Sequence, residues 1–419
     1  MAPTSTSRHV AALAVAVAAA NAAKFDVILY GADGCVGHFA AGHLAQQGNL
    51  SWAVAGRNRS HLDAVVSGLT DVKSKPEVIV ASLDNSSDPK TWLKDTTAVI
   101  TAAGPFSIHG GEVLLRAAAE LGVHYADTSD EFYWQRWMID RYNQRAQDSG
   151  AKMVLSSGFC VLAGDLGAQL ALRDLSDVGG DLRLDAWLEG YNGGVSAGVI
   201  HTAEAMKKAK FPKEWETDPY VLAPNASAEL RKDSKVEGMR YPSWVSGEGL
   251  MVSNIFGPYD ARLLRRSFVH LKQAVTLRVG ATSGMYPKWA AFIAEHPGSW
   301  SKLTQCPTDS VYKDGSWWYR FRAMAASGAA SGGAASRVSQ VLLSGHGDPG
   351  YHFTALGLAE TGLCLAGKTP GCLKQNTPGG VYTPMSALEP DVLTARLESI
   401  DLLKVEKPKA TVGVTQVII

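Results

Sequence analysis

The stretch FDVILYGADGCVGHFAAGHLAQQG, residues 25–48, decides the reading of this chain. An apolar run over 25–30 ends at Gly31, and a helix-forming segment opens at Cys35, so Gly31, Gly34 and Gly37 lie in the connection from a strand to a helix. A dinucleotide site needs that context. Phosphate binding asks for backbone N–H groups within reach, no Cβ in the way, and the positive end of a helix dipole. In this reading Gly31 makes the turn, Gly34 admits the pyrophosphate and Gly37 lets the helix sit close on the sheet, with Asp33, Cys35 and Val36 in the same loop. A plain turn between strand and helix fits the same three glycines, and the motif leaves both readings open.

Outward from this loop, short apolar runs alternate with amphipathic segments. Strands are predicted over 25–30, 51–55, 77–81, 98–102, 124–127 and 152–155, with helices over 35–47, 59–68, 89–94, 111–121 and 131–147. That alternation predicts an α/β fold whose first part is a Rossmann-type, doubly wound parallel sheet. Beyond residue 164 the pattern changes. Strands are expected in DLRLDAWLEGY, AVTLRVGATS and SQVLLSGHGDPGYHF, a glycine-bearing loop running into a helix in NGGVSAGVIHTAEAMKKAK, and a surface excursion over 210–244. AMAASGAASGGAASR reads as a flexible connection, 351–366 as a helix and NTPGGVYTP as a turn-rich loop. The expected division is a leader at 1–23, an NADP-binding Rossmann domain at 24–163, a mixed-sheet second domain at 164–348 and a carboxyl-terminal segment at 349–419.

The residues after the second predicted strand address the choice of nucleotide. An enzyme for NAD places an acid there to accept the ribose hydroxyls, whereas a 2′-phosphate needs a cation. Here the strand ends in Gly56 and Arg57, with Arg59 following. A guanidinium fork can grip a phosphate through paired hydrogen bonds, which favours NADP(H). Solvated charges at a helix start are the plainer alternative. Asp84 is placed to reach the adenine end, and Ala103, Gly104 and Pro105 sit at the carboxyl end of the fourth strand, where cofactor and substrate would meet.

Taken in order, YGADGCVG, WAVAGRN, TAAGPF, YADTSDE and SSGFCVLAGDLGA, followed by GYHFTALGLAETGLCL and PGGVYTP, resemble the saccharopine dehydrogenase-like oxidoreductases, which include the trans-acting enoyl reductases of glycolipid synthesis. The likeness covers roughly residues 25 to 390. It implies an NADP-binding Rossmann domain, an inserted α/β domain, and a last segment that returns to pack on the first domain. It also implies hydride transfer to an enoyl or similar acceptor in a lipid- or polyketide-like substrate. Three places depart from the usual pattern: Cys160 stands where related sequences carry Asp, the fifth-strand loop reads Ser129-Asp130-Glu131, and His201-Thr202 replaces Gly-Thr. The hydrophobic segment that some relatives use at lipid droplets or membranes is reduced to PKWAAFIAEHPGSW.

Hydride transfer asks the protein for a dry pocket, a held nicotinamide and a proton source within hydrogen-bond reach of the acceptor. The pool is Asp127, Thr128, Ser129, Asp130 and Glu131 after the fifth strand, Ser157 and Cys160 after the sixth, and His201 in the second-domain loop. Asp127 to Glu131 equally suit a helix amino-terminal cap, Cys160 a small buried residue, and His201 a solvated one. An amino-acid dehydrogenase acting on saccharopine is the alternative enzyme, although DAWLEGYNGGVSAG offers no cation for substrate carboxylates. A non-catalytic module sensing NADP is the alternative outside catalysis. A serine hydrolase is excluded by the lack of a GxSxG elbow.

Composition narrows the partners. The 419 residues are 46% hydrophobic, and 40 basic side chains balance 40 acidic ones, so no net field recruits nucleic acid or a membrane surface. The five cysteines lack CxxC or Cys/His spacing, which predicts no metal site and no dense disulfide framework, and their odd, sparse count suits a reducing compartment. The start, MAPTSTSRHVAALAVAVAAANAAK, reads as a signal or transit peptide, or as a loosely structured leader. Its apolar run is too short for a bilayer, which takes about 20 residues. The expectation is therefore a soluble or peripheral protein, able to contact a lipid droplet or organelle surface, that binds a small-molecule or lipid-like substrate and can pair as a homodimer.

Overall fold

A computed structural model describes residues 23–84, 88–178, 181–194, 197–238, 241–245, 249–296, 306–325 and 337–408. Most of the leader and most of AMAASGAASGGAASR lie outside these residues.

The first sheet is parallel throughout. It holds β1 (Phe25–Tyr30), β2 (Trp52–Gly56), β3 (Glu77–Val80), β4 (Thr96–Thr101), β5 (His124–Asp127), β6 (Lys152–Val154) and, from far downstream, β13 (Gly380–Tyr382), in the order β13-β6-β5-β4-β1-β2-β3. Val27, Ile28 and Leu29 of β1 are fully buried, as a central strand covered on both faces requires. Chain order reverses between β1 and β4, so the crevice at their carboxyl ends is the expected ligand position of a doubly wound sheet. Helices α1 (Cys35–Ala45), α2 (Arg59–Ser67), α3 (Gly111–Leu121) and α4 (Phe132–Ser149) connect the strands. Strands β1 to β6 and these helices fall within two residues of their predicted ends.

The second sheet is mixed and runs β14-β12-β11-β7-β10-β9-β8. Its strands are β7 (Leu182–Asn192), β8 (Ser243–Val245), β9 (Gly249–Val252), β10 (Val275–Thr282), β11 (Ser316–Ala325), β12 (Arg337–His346) and β14 (Lys404–Glu406). Only β7 and β10 pair in parallel. Helix α5 (Phe159–Arg173) joins the two sheets and packs on β11 and β12. All of its residues from Val161 to Leu172 are buried, and one apolar cluster runs from Val27 and Leu29 through Leu162 and Leu166 to Phe321 and Leu343. The helix crosses the expected boundary at 163/164.

Several expectations need correction. The excursion over 210–244 is anchored: Tyr220, Val221, Leu222 and Ala223 are buried, and Arg266 of helix α7 (Gly257–His270), after α6 (Ala197–Lys208), donates to the Leu222 carbonyl. The turn-rich 376–384 contains β13, whose Val381 carbonyl accepts from the same Arg266 at 2.6 Å. Strand β11 was not expected, although Trp317, Tyr319, Phe321 and Ala323 alternate as buried residues along it. The carboxyl-terminal segment serves both sheets, since β14 pairs with β12 while helix α9 (Thr354–Leu365), beyond α8 (Met285–Glu295), packs against α1 and β4. Buried Glu360 of α9 accepts from His43 at 2.6 Å and from Arg396 at 2.9 Å. Four of the five cysteines form disulfides, Cys35–Cys306 and Cys364–Cys372, against the expectation from their sparse spacing; Cys160 is free. No helix among the described residues is long and apolar enough to cross a membrane.

Candidate active site

The glycine loop has the shape its sequence predicts. Gly31 takes φ +81°, and a Cβ there would stand 3.0 Å from the Cβ of Ala103. At Gly37 a Cβ would fall 2.1 Å from the Gly31 carbonyl oxygen, so any side chain forces α1 away from the turn. Gly34 is the amino-terminal cap of α1 and supplies no side-chain hydrogen bond, which leaves first-turn N–H groups free for an anion. The loop therefore fits a pyrophosphate by geometry as well as by motif.

The two arginines beside it separate. Arg59 is spent on Asp63, one helical turn away, through Nε at 2.9 Å. Arg57 is exposed, and among the described residues no hydrogen bond or ion pair engages its side chain. It faces Tyr30, whose hydroxyl is pushed up to about 12 by burial against the opposing pull of Arg57. Asp33 and Asp84 face the same tyrosine. Asp33 also lies near the end of β2, since a Cβ on Gly56 would be 3.5 Å from its Oδ1, and His61 stands 3.5 Å from its other oxygen. These residues gather at one rim of the crevice and could hold the adenosine half of a nucleotide.

On the facing side, Ala103 and Gly104 lead into Pro105 and Phe106, and Glu131 fixes this turn from beneath. Its carboxylate, almost wholly buried, accepts from the Phe106 N–H at 2.5 Å, from the Ser107 N–H at 3.2 Å and from the Ser107 hydroxyl. Glu131 thus positions the crevice wall and makes no side-chain cap on α4.

The remaining candidates divide in the same way. Asp127 is fully buried and accepts from the Ser129 N–H, the Ser129 hydroxyl, the Ser156 N–H and Tyr125, all within 3.0 Å. Burial still pushes it up to about 6, but its oxygens are occupied. Ser129 is locked into the same network: its carbonyl accepts from the hydroxyl of Ser156 at 2.8 Å and from that of Tyr259 on α7. Ser157 is buried beside them, with its N–H on the Asp127 carbonyl at 2.6 Å.

Asp130 is different. It is only partly buried, and Thr202 of α6 donates to its Oδ1 at 2.9 Å. Burial, joined by the nearby charges of Glu131 and Asp127, pushes its carboxyl up to about 7, which makes it exchangeable near neutrality. Cys160 lies close by; burial, with the charges of Asp260 and Asp130, pushes its thiol well up, so it is a poor nucleophile at neutral pH. His201 sits on helix α6 and not in a loop, and pairs with Glu204 at 3.7 Å. Sequence reasoning passed over His109, an exposed imidazole following the 103–107 turn that burial and then Arg57 push down, and Tyr259, which brings α7 onto the β5 and β6 ends. Tyr259 reaches the β5 and β6 ends through tertiary packing, which no local pattern announces.

Residues 27–154 match the saccharopine dehydrogenase NADP binding domain. A trans-acting enoyl reductase of Mycobacterium bovis (strain BCG / Pasteur 1173P2) is 31% identical over 262 residues, 58% of this chain and 61% of that protein. A protein of Mycobacterium tuberculosis (strain H37Rv), provisionally given the same name, is 26% identical over 418 residues, 89% of this chain and 95% of its own length. The chain thus spans 61% of the length of the first of these relatives. Apo saccharopine dehydrogenase (L-Glu forming) from Saccharomyces cerevisiae superposes with a TM-score of 0.52 at 12% identity, over 91% of this chain and 99% of that one, a likeness of fold. Residues 27–154 therefore carry the match to the saccharopine dehydrogenase NADP binding domain, in a chain that shares the α/β fold of saccharopine dehydrogenase.

Proposed function

We propose that this chain is an NADP-dependent oxidoreductase that delivers hydride to an enoyl or similarly polarised acceptor in a lipid- or polyketide-like substrate, in the manner the names of its mycobacterial relatives describe. What supports the reading is the glycine loop after β1 together with a partly buried, protonable carboxyl, Asp130, just after β5 of the same parallel sheet. The glycine loop residues Gly31, Asp33, Gly34, Cys35, Val36 and Gly37 would hold the pyrophosphate side. Arg57 would hold the 2′-phosphate, Asp84 the adenine end, and Ala103 to Pro105 the nicotinamide side. Arg59, tied to Asp63, drops out of the set.

Bound NADPH supplies the hydride. The chain's own part begins with Glu131, which holds the 103–107 wall in place. Asp130 keeps a proton available near neutral pH, and Thr202 orients the carboxyl through its Oδ1. Asp127, Ser129, Ser156 and Tyr259 brace the loop that carries it. The division into leader, Rossmann domain, second domain and returning segment belongs to the same proposal. So does peripheral contact with a lipid surface: Trp244 and Leu250, 62% and 40% exposed, lie opposite each other on the edge hairpin β8–β9.

The test follows NADPH oxidation by the purified protein with an α,β-unsaturated acyl thioester, and with saccharopine and NADP in the reverse direction. Turnover of the thioester, lost in Asp130→Asn with NADPH binding retained, supports the reading. Turnover of saccharopine alone replaces it with the amino-acid dehydrogenase, and NADPH binding with neither turnover replaces it with the sensor.

A further inference from the structure

The Cys35–Cys306 disulfide joins the nucleotide loop to a segment 271 residues downstream. Cys35 is the first residue of α1, directly after Gly34, where the pyrophosphate would sit. Cys306 is exposed and opens the segment that continues into a short helical turn, Asp309–Asp314, and then into β11 of the second sheet. The same segment meets α1 again at Tyr312, whose ring packs edge-on against Phe39 with centroids 4.3 Å apart. The Tyr312 carbonyl accepts from the Asp348 N–H at 3.0 Å, and the Asp348 carboxylate accepts from the N–H of Gly194 and, at 2.6 Å, from that of Tyr351. The loops of the second sheet that lie over α1 thus hold one another through hydrogen bonds and rings, and hold the nucleotide loop itself through a single covalent bond.

We infer that Cys35–Cys306 is a thiol-controlled strap over the NADP-binding loop: the disulfide keeps bound nucleotide from leaving, and its reduction frees the 306–308 segment and speeds exchange. The inference rests on the proposed cofactor site. An external dithiol supplies the two electrons and two protons. Its thiolate attacks Cys306 Sγ, the accessible sulfur, the Cys35–Cys306 bond breaks with Cys35 leaving as a thiolate that takes up a proton, and the mixed disulfide is released as cyclised, oxidised dithiol and the Cys306 thiol. Phe39–Tyr312 packing remains, so the segment is loosened and the fold kept.

The experiment is stopped-flow release of NADPH, read by nucleotide fluorescence, on the full chain treated with oxidised glutathione or with dithiothreitol, with disulfides assigned by peptide mapping under non-reducing conditions. Expected is release roughly tenfold faster after reduction, since differences of this kind fall on the dissociation rate. Cys306→Ser and Cys35→Ser should be fast in both conditions, and Cys372→Ser should keep the full response because Cys364–Cys372 lies elsewhere. Equal release rates in the two mapped states, a reductant response surviving in Cys306→Ser, or two free thiols after oxidation each overturn the strap. If NADPH binds in neither state, it is the cofactor assignment that fails.

Discussion

The two rims of the crevice are built by different means. At the ends of β1 and β2 the binding features are backbone N–H groups, absent side chains and one exposed arginine, all within residues 31–57. At the ends of β5 and β6 the features are a buried carboxyl, Asp127, and a partly buried one, Asp130, on a loop whose partners come from up to 130 residues away, on α6 and α7. The first rim is nearly rigid by local sterics and recognises charge. The second is assembled by tertiary contact and sets protonation, because a carboxyl in a half-dry site resists ionising. In the proposed reaction the first rim would hold the nucleotide and the second would supply the proton.

The largest effect expected from breaking this contrast is at Asp130. Asp130→Asn should lower kcat by about 10²- to 10³-fold with an unchanged NADPH dissociation constant, as removal of a general acid does. In the parent protein kcat should fall as pH rises through about 7, because the carboxyl must carry its proton, and the Asn variant should lose that limb. A flat parent profile would place the proton elsewhere. Gly37→Ala attacks the holding rim instead. With its Cβ 2.1 Å from the Gly31 oxygen, it should cost about 3 kcal/mol in urea unfolding and abolish NADPH binding.

Smaller effects sharpen the electrostatic side. Arg57→Ala should weaken NADPH by about 2 kcal/mol, roughly thirtyfold, and leave NADH unchanged in fluorescence titration. Beneath the same rim, Glu360 is a buried carboxylate that burial alone would raise, but the hydrogen bonds and charges of His43 and Arg396 outweigh burial and hold it below the usual range. A depressed folded value means that its stabilisation is present above the ordinary carboxylate range and is lost as pH falls through the folded value. Urea midpoints measured from pH 7 down to pH 3 should therefore drop more steeply for the parent than for Glu360→Gln. Least of all, Arg59→Ala should move NADPH affinity and stability by no more than about 0.5 kcal/mol, since its exposed pair with Asp63 is worth little.

Legibility followed the same divide. The strand-loop-helix at 25–45, the following strands and the nucleotide loop were readable because each rests on period, turn chemistry and glycine sterics within a short window. Arg57 and Arg59 looked alike in sequence, and only the Asp63 partner told them apart. Glu131 read as a cap residue, yet its carboxylate serves the 105–107 turn, a contact between the loops after β4 and β5 that no local pattern shows. The buried stretch 220–223 read as surface because its neighbours are charged; its carbonyls are met by Arg136 on α4 and by buried Arg266 on α7, an arrangement visible only once both helices are in place. Cysteine spacing failed for the same reason, since 271 residues separate Cys35 from its partner.

Strand β13 has a consequence for how the molecule comes into being. β6 pairs with β5 on one side and with residues 380–382 on the other, so the parallel sheet lacks its last strand until more than nine-tenths of the 419 residues have left the ribosome. During that interval the β6 edge is an open template for a foreign strand, and closure waits on a contact of very long sequence separation. A nascent chain with residues 27–154 already folded therefore exposes that edge, and the isolated 27–154 segment is expected to aggregate more readily than the full chain, as light scattering of the two would check.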